Sequence, residues 1–341
     1  SPPLRVLIPD VQELVDLSMP RERSSHKQVQ ESYVYTQYHP MEEIYEWMTQ
    51  IQKNYSELVT QNFLGMTFEN RPMYYLQISQ PSNKPKKIIW MDCGIHAREW
   101  ISPAFCQWFV KELLRTQRSK IKESLHPIIT GKNRSPYMNG TCYGTDLNRN
   151  FNSSWGSIGV SFDCSSNVFC GSEPESEPET RAVTEFIRRK KSDIACFLTI
   201  HSYGQLILSP YGSTTKPPSN NEELMQVGKK AAAALTGKYG TSYKVGPPSL
   251  ILYSNSGSSR DWAHMIGIPL SYTFELRDNG TYGFLLPADQ IQPTCEETML
   301  AVTTIIDYVY QEYLPGGAVV LTCSSLALSL CLSIVLTWTV S

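Results

Sequence analysis

The stretch Lys86-Lys87-Ile88-Ile89-Trp90-Met91-Asp92-Cys93-Gly94-Ile95-His96-Ala97-Arg98-Glu99-Trp100 decides the fold. Its first six residues read as a short buried strand, and Asp92-Cys93-Gly94 ends that strand in a turn. Ser102-Pro103 follows as an N-cap and first-turn proline for a helix whose apolar residues include Phe105, Phe109, Leu113 and Leu114. Upstream, Met41–Gln52 has helical spacing (Ile44, Trp47, Met48, Ile51) and Met73–Ile78 reads as a strand. Downstream, helix Glu179–Lys190 precedes strand Ile194–Ile200, helix Glu222–Lys238 precedes strand Leu270–Leu276, and a last helix runs from about Cys295 to Tyr313. Strands alternating with helices predict an α/β layered domain.

The chain has 341 residues, a formal charge of −2 and 41% apolar side chains. These values exclude a disulfide-stapled mini-protein, a disordered chain, a collagen, a coiled coil and a polytopic membrane protein. The near-neutral balance gives no electrostatic argument for nucleic acid as a partner. Residues 1–30 read as a poorly ordered extension, 31–313 as the globular domain and 314–341 as an apolar tail. The chain opens at Ser1 without a signal-peptide pattern, so a leader is expected to be absent or removed. After Glu312 no charged residue occurs. The tail is long enough to span a bilayer, yet no basic residue follows it to stop transfer. The small residues Gly316, Gly317 and Ala318 before it suit a GPI-attachment signal, with a tail anchor or a buried core helix as alternatives. Asn-x-Ser/Thr triplets at Asn54, Asn133, Asn139, Asn152 and Asn279 are compatible with a secreted glycoprotein. The nine cysteines contain no CxxC pair, which argues against a cysteine zinc knuckle.

The chemistry-bearing residues lie beyond predicted strand ends, where α/β sheets place ligands. His96 and Glu99 form an H-x-x-E motif just past the first strand, and His201 ends another. Two imidazoles and one carboxylate make a three-ligand zinc set with a fourth position open. Metal-assisted hydrolysis also needs a proton acceptor that is not a ligand. Glu275, inside the apolar strand Tyr272-Thr273-Phe274-Glu275-Leu276, fits that need. Its bland alternatives are a salt bridge to Arg277 or an edge position in the sheet. The cluster Gly144-Thr145-Asp146-Leu147-Asn148-Arg149-Asn150-Phe151 adds a guanidinium, whose fork matches a carboxylate.

Together these segments resemble the zinc metallocarboxypeptidases of the carboxypeptidase A/B family. So do Thr199-Ile200-His201-Ser202-Tyr203-Gly204, Ile251-Leu252-Tyr253-Ser254, Ser256-Gly257-Ser258 and Tyr272 through Asp278. The resemblance covers residues 35 to 312. It implies a single three-layer α/β domain with a mixed, mostly parallel twisted sheet flanked by helices. It further implies one zinc per chain on His96, Glu99 and His201, with Glu275 as general base. Asn148, Arg149 and Tyr253 would hold the terminal carboxylate of a peptide. Arg98 would sit near the scissile carbonyl, and Ser202, Tyr203 and Phe284 would line subsites. The family's pocket-floor position falls on Arg260, a cation that would select Glu or Asp side chains; a surface salt bridge to Asp261 or Glu275 is its bland alternative. Disulfides Cys93–Cys106 and Cys142–Cys164 are implied too. The expected activity is release of C-terminal residues, preferably acidic, by an enzyme held by its tail at the extracellular face of the plasma membrane.

The resemblance also exposes a gap. Between about Arg118 and Lys132 the family carries a core strand, a turn and an oxyanion-stabilising arginine. Here the text is shortened and Gly131 takes the arginine's place, with Arg134 the nearest substitute. The expected sheet therefore lacks one core strand. An inactive or misfolded protein that binds zinc and peptide C-termini is the alternative reading. Gly156 stands where a cysteine partner for Cys170 is expected, leaving that thiol free.

Overall fold

The computed structural model describes residues 33–79, 86–115, 132–313 and 332–338, the last as a backbone strand. Eight strands form one sheet. In chain order they are β1 (Val59–Met66), β2 (Pro72–Ile78), β3 (Lys87–Cys93), β6 (Ile194–Ser202), β7 (Leu206–Leu208), β8 (Lys244–Gly246), β9 (Leu270–Leu276) and β10 (Leu332–Trp338). The short strands β4 (Pro136–Tyr137) and β5 (Cys142–Tyr143) make a separate hairpin. Across the large sheet the order is β1-β2-β10-β3-β6-β9-β7-β8. The centre, β10-β3-β6-β9, is parallel; β2 runs antiparallel to β1 and β10, and β7 antiparallel to β9.

Helices cover both faces, giving the three-layer arrangement. Helices α1 (Met41–Asn54), α2 (Ile101–Arg115), α4 (Asn221–Tyr239) and α7 (Ile291–Tyr313) pack on one face; α3 (Pro178–Lys190) and α6 (Ser259–Met265) pack on the other. A single turn, α5 (Pro248–Ile251), precedes α6. The side-chain period of two sorts each strand between these cores. In β3, Ile89 and Met91 join the larger core and Trp90 the smaller; in β6, Leu198 and Ile200 face the first and Phe197 the second. Strands buried on both faces read as continuous apolar runs, which is why β3, β6 and β9 stand out in the sequence.

Where the chain departs from its sequence reading, the reasons are local. Helix α2 begins at Ile101, so Ser102 is no cap; its hydroxyl accepts from Gly94 N at 3.1 Å and donates to the Ile200 carbonyl, tying strand ends to the helix. Strand β1 escaped notice because Thr60-Gln61-Asn62 masks its pattern, as suits a sheet edge. Asn133, one of the glycosylation triplets, is buried, and its amide donates to Glu177 at 2.6 Å. Cys93 is bonded to Cys106 and Cys142 to Cys164, while Cys170, Cys196 and Cys295 are buried free thiols.

The shortened segment before Lys132, with Gly131, lies outside the described residues, as do residues 1–32 and most of the tail. The expected gap in the sheet is nevertheless filled. Seven residues of the region read as a tail, Leu332–Trp338, enter the sheet between β2 and β3. Each buried backbone group left unpaired there would cost about 1–3 kcal/mol. Among the described residues no helix is long and apolar enough to cross a membrane.

Candidate active site

Strands β3, β6 and β9 are parallel neighbours, so their carboxyl ends open together. On the sheet face toward α3 and α6, the alternation turns apolar positions into polar ones near those ends. Trp90 is followed by Asp92 and Phe197 by Thr199 and His201, while on β9 the positions Ser271, Thr273 and Glu275 are polar throughout. His201 and Glu275 are register partners across β6 and β9. The turn after β3 returns His96 and Glu99 over the same end.

Three residues converge there. His96 Nδ1 lies 2.7 Å from Glu99 Oε1, and His201 Nδ1 lies 2.9 Å from Glu99 Oε2. One ligand atom from each falls within 4.8 Å of the others. Behind each ring, the far nitrogen is committed. His96 Nε2 meets Asp146 Oδ1 at 2.9 Å. His201 Nε2 meets the Thr199 hydroxyl at 3.0 Å, which in turn donates to Asp92 Oδ1 at 2.6 Å. Trp90 Nε1 holds the other Asp92 oxygen at 2.8 Å. These partners fix the Nε2–H tautomers and leave both Nδ1 lone pairs facing Glu99.

Electrostatics favour a cation at this point. Burial works against a charged His96, yet Glu99 and Asp146 on either side raise its pKa well above the ordinary imidazole value. Burial likewise pushes Glu99 up, but the two imidazoles outweigh it and the carboxyl ends below its usual range. A bound cation would take the place of the His96 proton: two Nδ1 atoms, a carboxylate and acceptors behind both rings make a donor set that fits zinc.

Glu275 stands beside this cluster without pairing to it. Burial raises its pKa to about 7, against the pull of His201. Arg277 does not pair with it either; that guanidinium holds Glu297 at 2.7 Å.

A second group lies on the loops beyond. Asp146 accepts from Asn148 N at 2.9 Å and caps the turn Leu147–Arg149. Asn148 Oδ1 takes Ser259 N at 3.0 Å, which fixes the amide. Arg149 donates to Asn148 O at 2.9 Å, to Gly159 O at 3.2 Å and to the Tyr253 hydroxyl at 3.2 Å. Gly257 (φ +74°) lets this loop close: a Cβ there would stand 2.1 Å from the Arg149 carbonyl. On the other side, the Arg98 guanidinium lies 4.1 Å over the Phe284 ring, whose edge meets Tyr203 at 4.9 Å. Among the described residues, Arg98 Nε is buried without a hydrogen-bond partner. The Ser202 side chain is buried, and its backbone N–H donates to Glu99 at 3.3 Å.

Arg260 is 2% exposed. Its guanidinium reaches Asp261 at 2.8 Å, Ser258 at 3.2 Å and Thr273 at 3.2 Å. The pairing with Asp261 exists, but inside the protein. Arg134 instead makes an exposed ion pair with Glu69 at 3.0 Å. Asp146, Thr199 and Asp92 were not singled out from sequence. Asp146 lay in the quoted octapeptide, two residues before Asn148, and its only signal was that proximity. Because a carboxylate behind a ligating imidazole tunes affinity, Asp146→Ala should weaken zinc binding about 10–100-fold in chelator competition. Unchanged affinity would remove Asp146 from the site.

Known proteins agree with this geometry. The zinc carboxypeptidase family profile matches residues 44–129 and 126–301. Carboxypeptidase O of Bos taurus and of Homo sapiens are each 61% identical over 306 residues, covering 83% of this chain and 82% of the relative. The crystal structure of thrombin activatable fibrinolysis inhibitor superposes with a TM-score of 0.81 at 38% identity, covering 90% of this chain and 82% of that one. The bovine form of that protein, in complex with tick carboxypeptidase inhibitor, gives a TM-score of 0.74 at 40% identity, covering 81% and 98%. With its His-Glu-His cluster at the ends of parallel strands, the chain belongs to the zinc carboxypeptidase family.

Proposed function

We propose that this zinc exopeptidase removes acidic residues from peptide C-termini, and the observation that carries the proposal is a buried Arg260. His96, Glu99 and His201 would hold zinc, which when bound would supply Lewis acidity at the scissile carbonyl. The remaining work falls to the chain's own groups. Arg149, oriented by Asn148 and Tyr253, pairs with the free carboxylate that distinguishes a chain end from an internal bond. Glu275 takes a proton from the attacking water and passes it to the departing amine as the peptide bond breaks. Arg98 faces the developing charge on the carbonyl oxygen, a role supported by its unpartnered Nε.

A general base must be ionised. Glu275 has its pKa raised to about 7 by burial, and a bound cation would stabilise its carboxylate and lower it again. Activity should therefore fall as pH drops through a limb at or below pH 7. Glu275→Gln should lose about 10²–10⁴ in kcat and lose that acid limb while keeping its zinc. Full activity in this variant would refute the assignment.

Asp261 already neutralises part of the Arg260 charge, so the preference rests on the remaining donor capacity of the guanidinium, buried near Glu275. Peptides ending in Glu or Asp should exceed those ending in Leu, Phe or Lys by at least about tenfold in kcat/KM. Arg260→Asp would set two carboxylates side by side and turn the preference to Lys and Arg. An unchanged preference would end the acidic assignment and leave the peptidase standing.

For location we propose the secretory pathway and the extracellular face of the plasma membrane. Two disulfides support an oxidising compartment, and exposed Asn54, Asn139, Asn152 and Asn279 support glycosylation. The uncharged tail after Gly316 supports attachment by a GPI lipid. Phospholipase specific for that anchor should release the protein from cells; retention would contradict it.

A further inference from the structure

Strands β2 and β3 follow one another in sequence, yet they are not neighbours in the sheet. A slot one strand wide separates them, and the C-terminal segment fills it. Ile334 through Thr337 pair antiparallel with Ile78 through Tyr75, and Leu332 through Trp338 pair parallel with Lys87 through Cys93, both without a register break. The segment Leu332-Ser333-Ile334-Val335-Leu336-Thr337-Trp338 suits this place. It has no charge and no proline, and it is rich in β-branched and aromatic residues. A strand with partners on both sides of a largely parallel sheet needs that composition.

We propose that Leu332–Trp338 is a built-in donor strand, and that the slot between β2 and β3 is a strand-acceptor groove closed by the chain's own C-terminus. Without it, β1 and β2 would be cut off from the rest of the sheet and β3 would become an edge. The consequence reaches the metal: His96 lies three residues beyond the end of β3, and β3 is the neighbour of the strand bearing His201. The same seven residues cannot complete the sheet while lying in a bilayer or after removal with an attachment signal. Closure and membrane attachment through this segment are therefore alternative fates. The donor-strand role belongs to the chain that keeps Leu332–Trp338, so in any one molecule it and GPI attachment exclude each other.

Hydrogen exchange on the zinc-loaded full chain tests this. Amides of Ile334 through Thr337 should exchange roughly a hundredfold or more slower than unstructured peptide, alongside those of β6. In the full chain carrying Val335→Pro, protection should fall in β10 and along the facing edges of β2 and β3, and zinc should be lost more readily. Val335→Thr, which keeps the ladder donor and a β-branched side chain, should retain both. Rapid exchange at 334–337 in the unaltered chain would overturn the proposal, even if the proline variant failed to fold. Unchanged exchange of β2 and β3 in Val335→Pro would overturn it equally.

Discussion

Crowding two imidazoles and three carboxylates into one largely buried volume is the constraint around which this molecule is arranged. Glu99, Asp146 and Glu275 would repel one another and pay heavily for lost hydration unless positive charge were placed among them. The structure answers with geometry. Parallel β3, β6 and β9 end at one level, so three separate segments deliver their polar residues to one point. Each imidazole is backed by its own acceptor, and both turn the same nitrogen inward. A metal ion completes an electrostatic pattern that the protein groups alone leave short of positive charge.

The same logic separates the carboxylates by task. Glu99 lies between two imidazoles, which hold it ionised. Glu275 has no direct partner among the described residues, and burial raises its pKa to about 7. Two carboxyl groups so close acquire different protonation behaviour from their neighbours alone. Arg149 and Arg260 are each held in place by neighbouring groups. Arg149 sits on the loop built by Asp146 and Asn148, while Arg260 is held by Asp261, Ser258 and Thr273. Rigid anchoring of both guanidinium groups would lower the conformational cost of the recognition proposed for them.

Much of this was legible in the sequence because burial and periodicity leave direct traces. The apolar runs at Ile88–Met91 and Ile194–Ile200 could only be interior strands of a layered domain, and a histidine at such a strand end has few uses. What stayed hidden depends on three-dimensional neighbours. Nothing local marks Asp146 as the group behind His96, or Ser102 as a tie between Gly94 and Ile200. The hydroxyl of Thr199 looks like any strand threonine until His201 and Asp92 are seen on its two sides. The C-terminal segment shows the limit most clearly. Hydropathy reports that residues avoid water, and it cannot tell a lipid environment from the middle of a sheet. Only the vacancy between β2 and β3 makes Leu332–Trp338 readable as a strand.

The central claim is that two Nδ1 atoms and one carboxylate, each oriented from behind, form the metal site. Crystallography of the zinc-loaded full chain, with anomalous scattering at the zinc edge, tests it most directly. The account predicts one zinc peak per chain at ~2.0–2.2 Å from His96 Nδ1, His201 Nδ1 and a Glu99 oxygen, with Asp146 and Thr199 still bonded to the opposite ring nitrogens. Zinc bound elsewhere, or through Nε2 of either histidine, would contradict it.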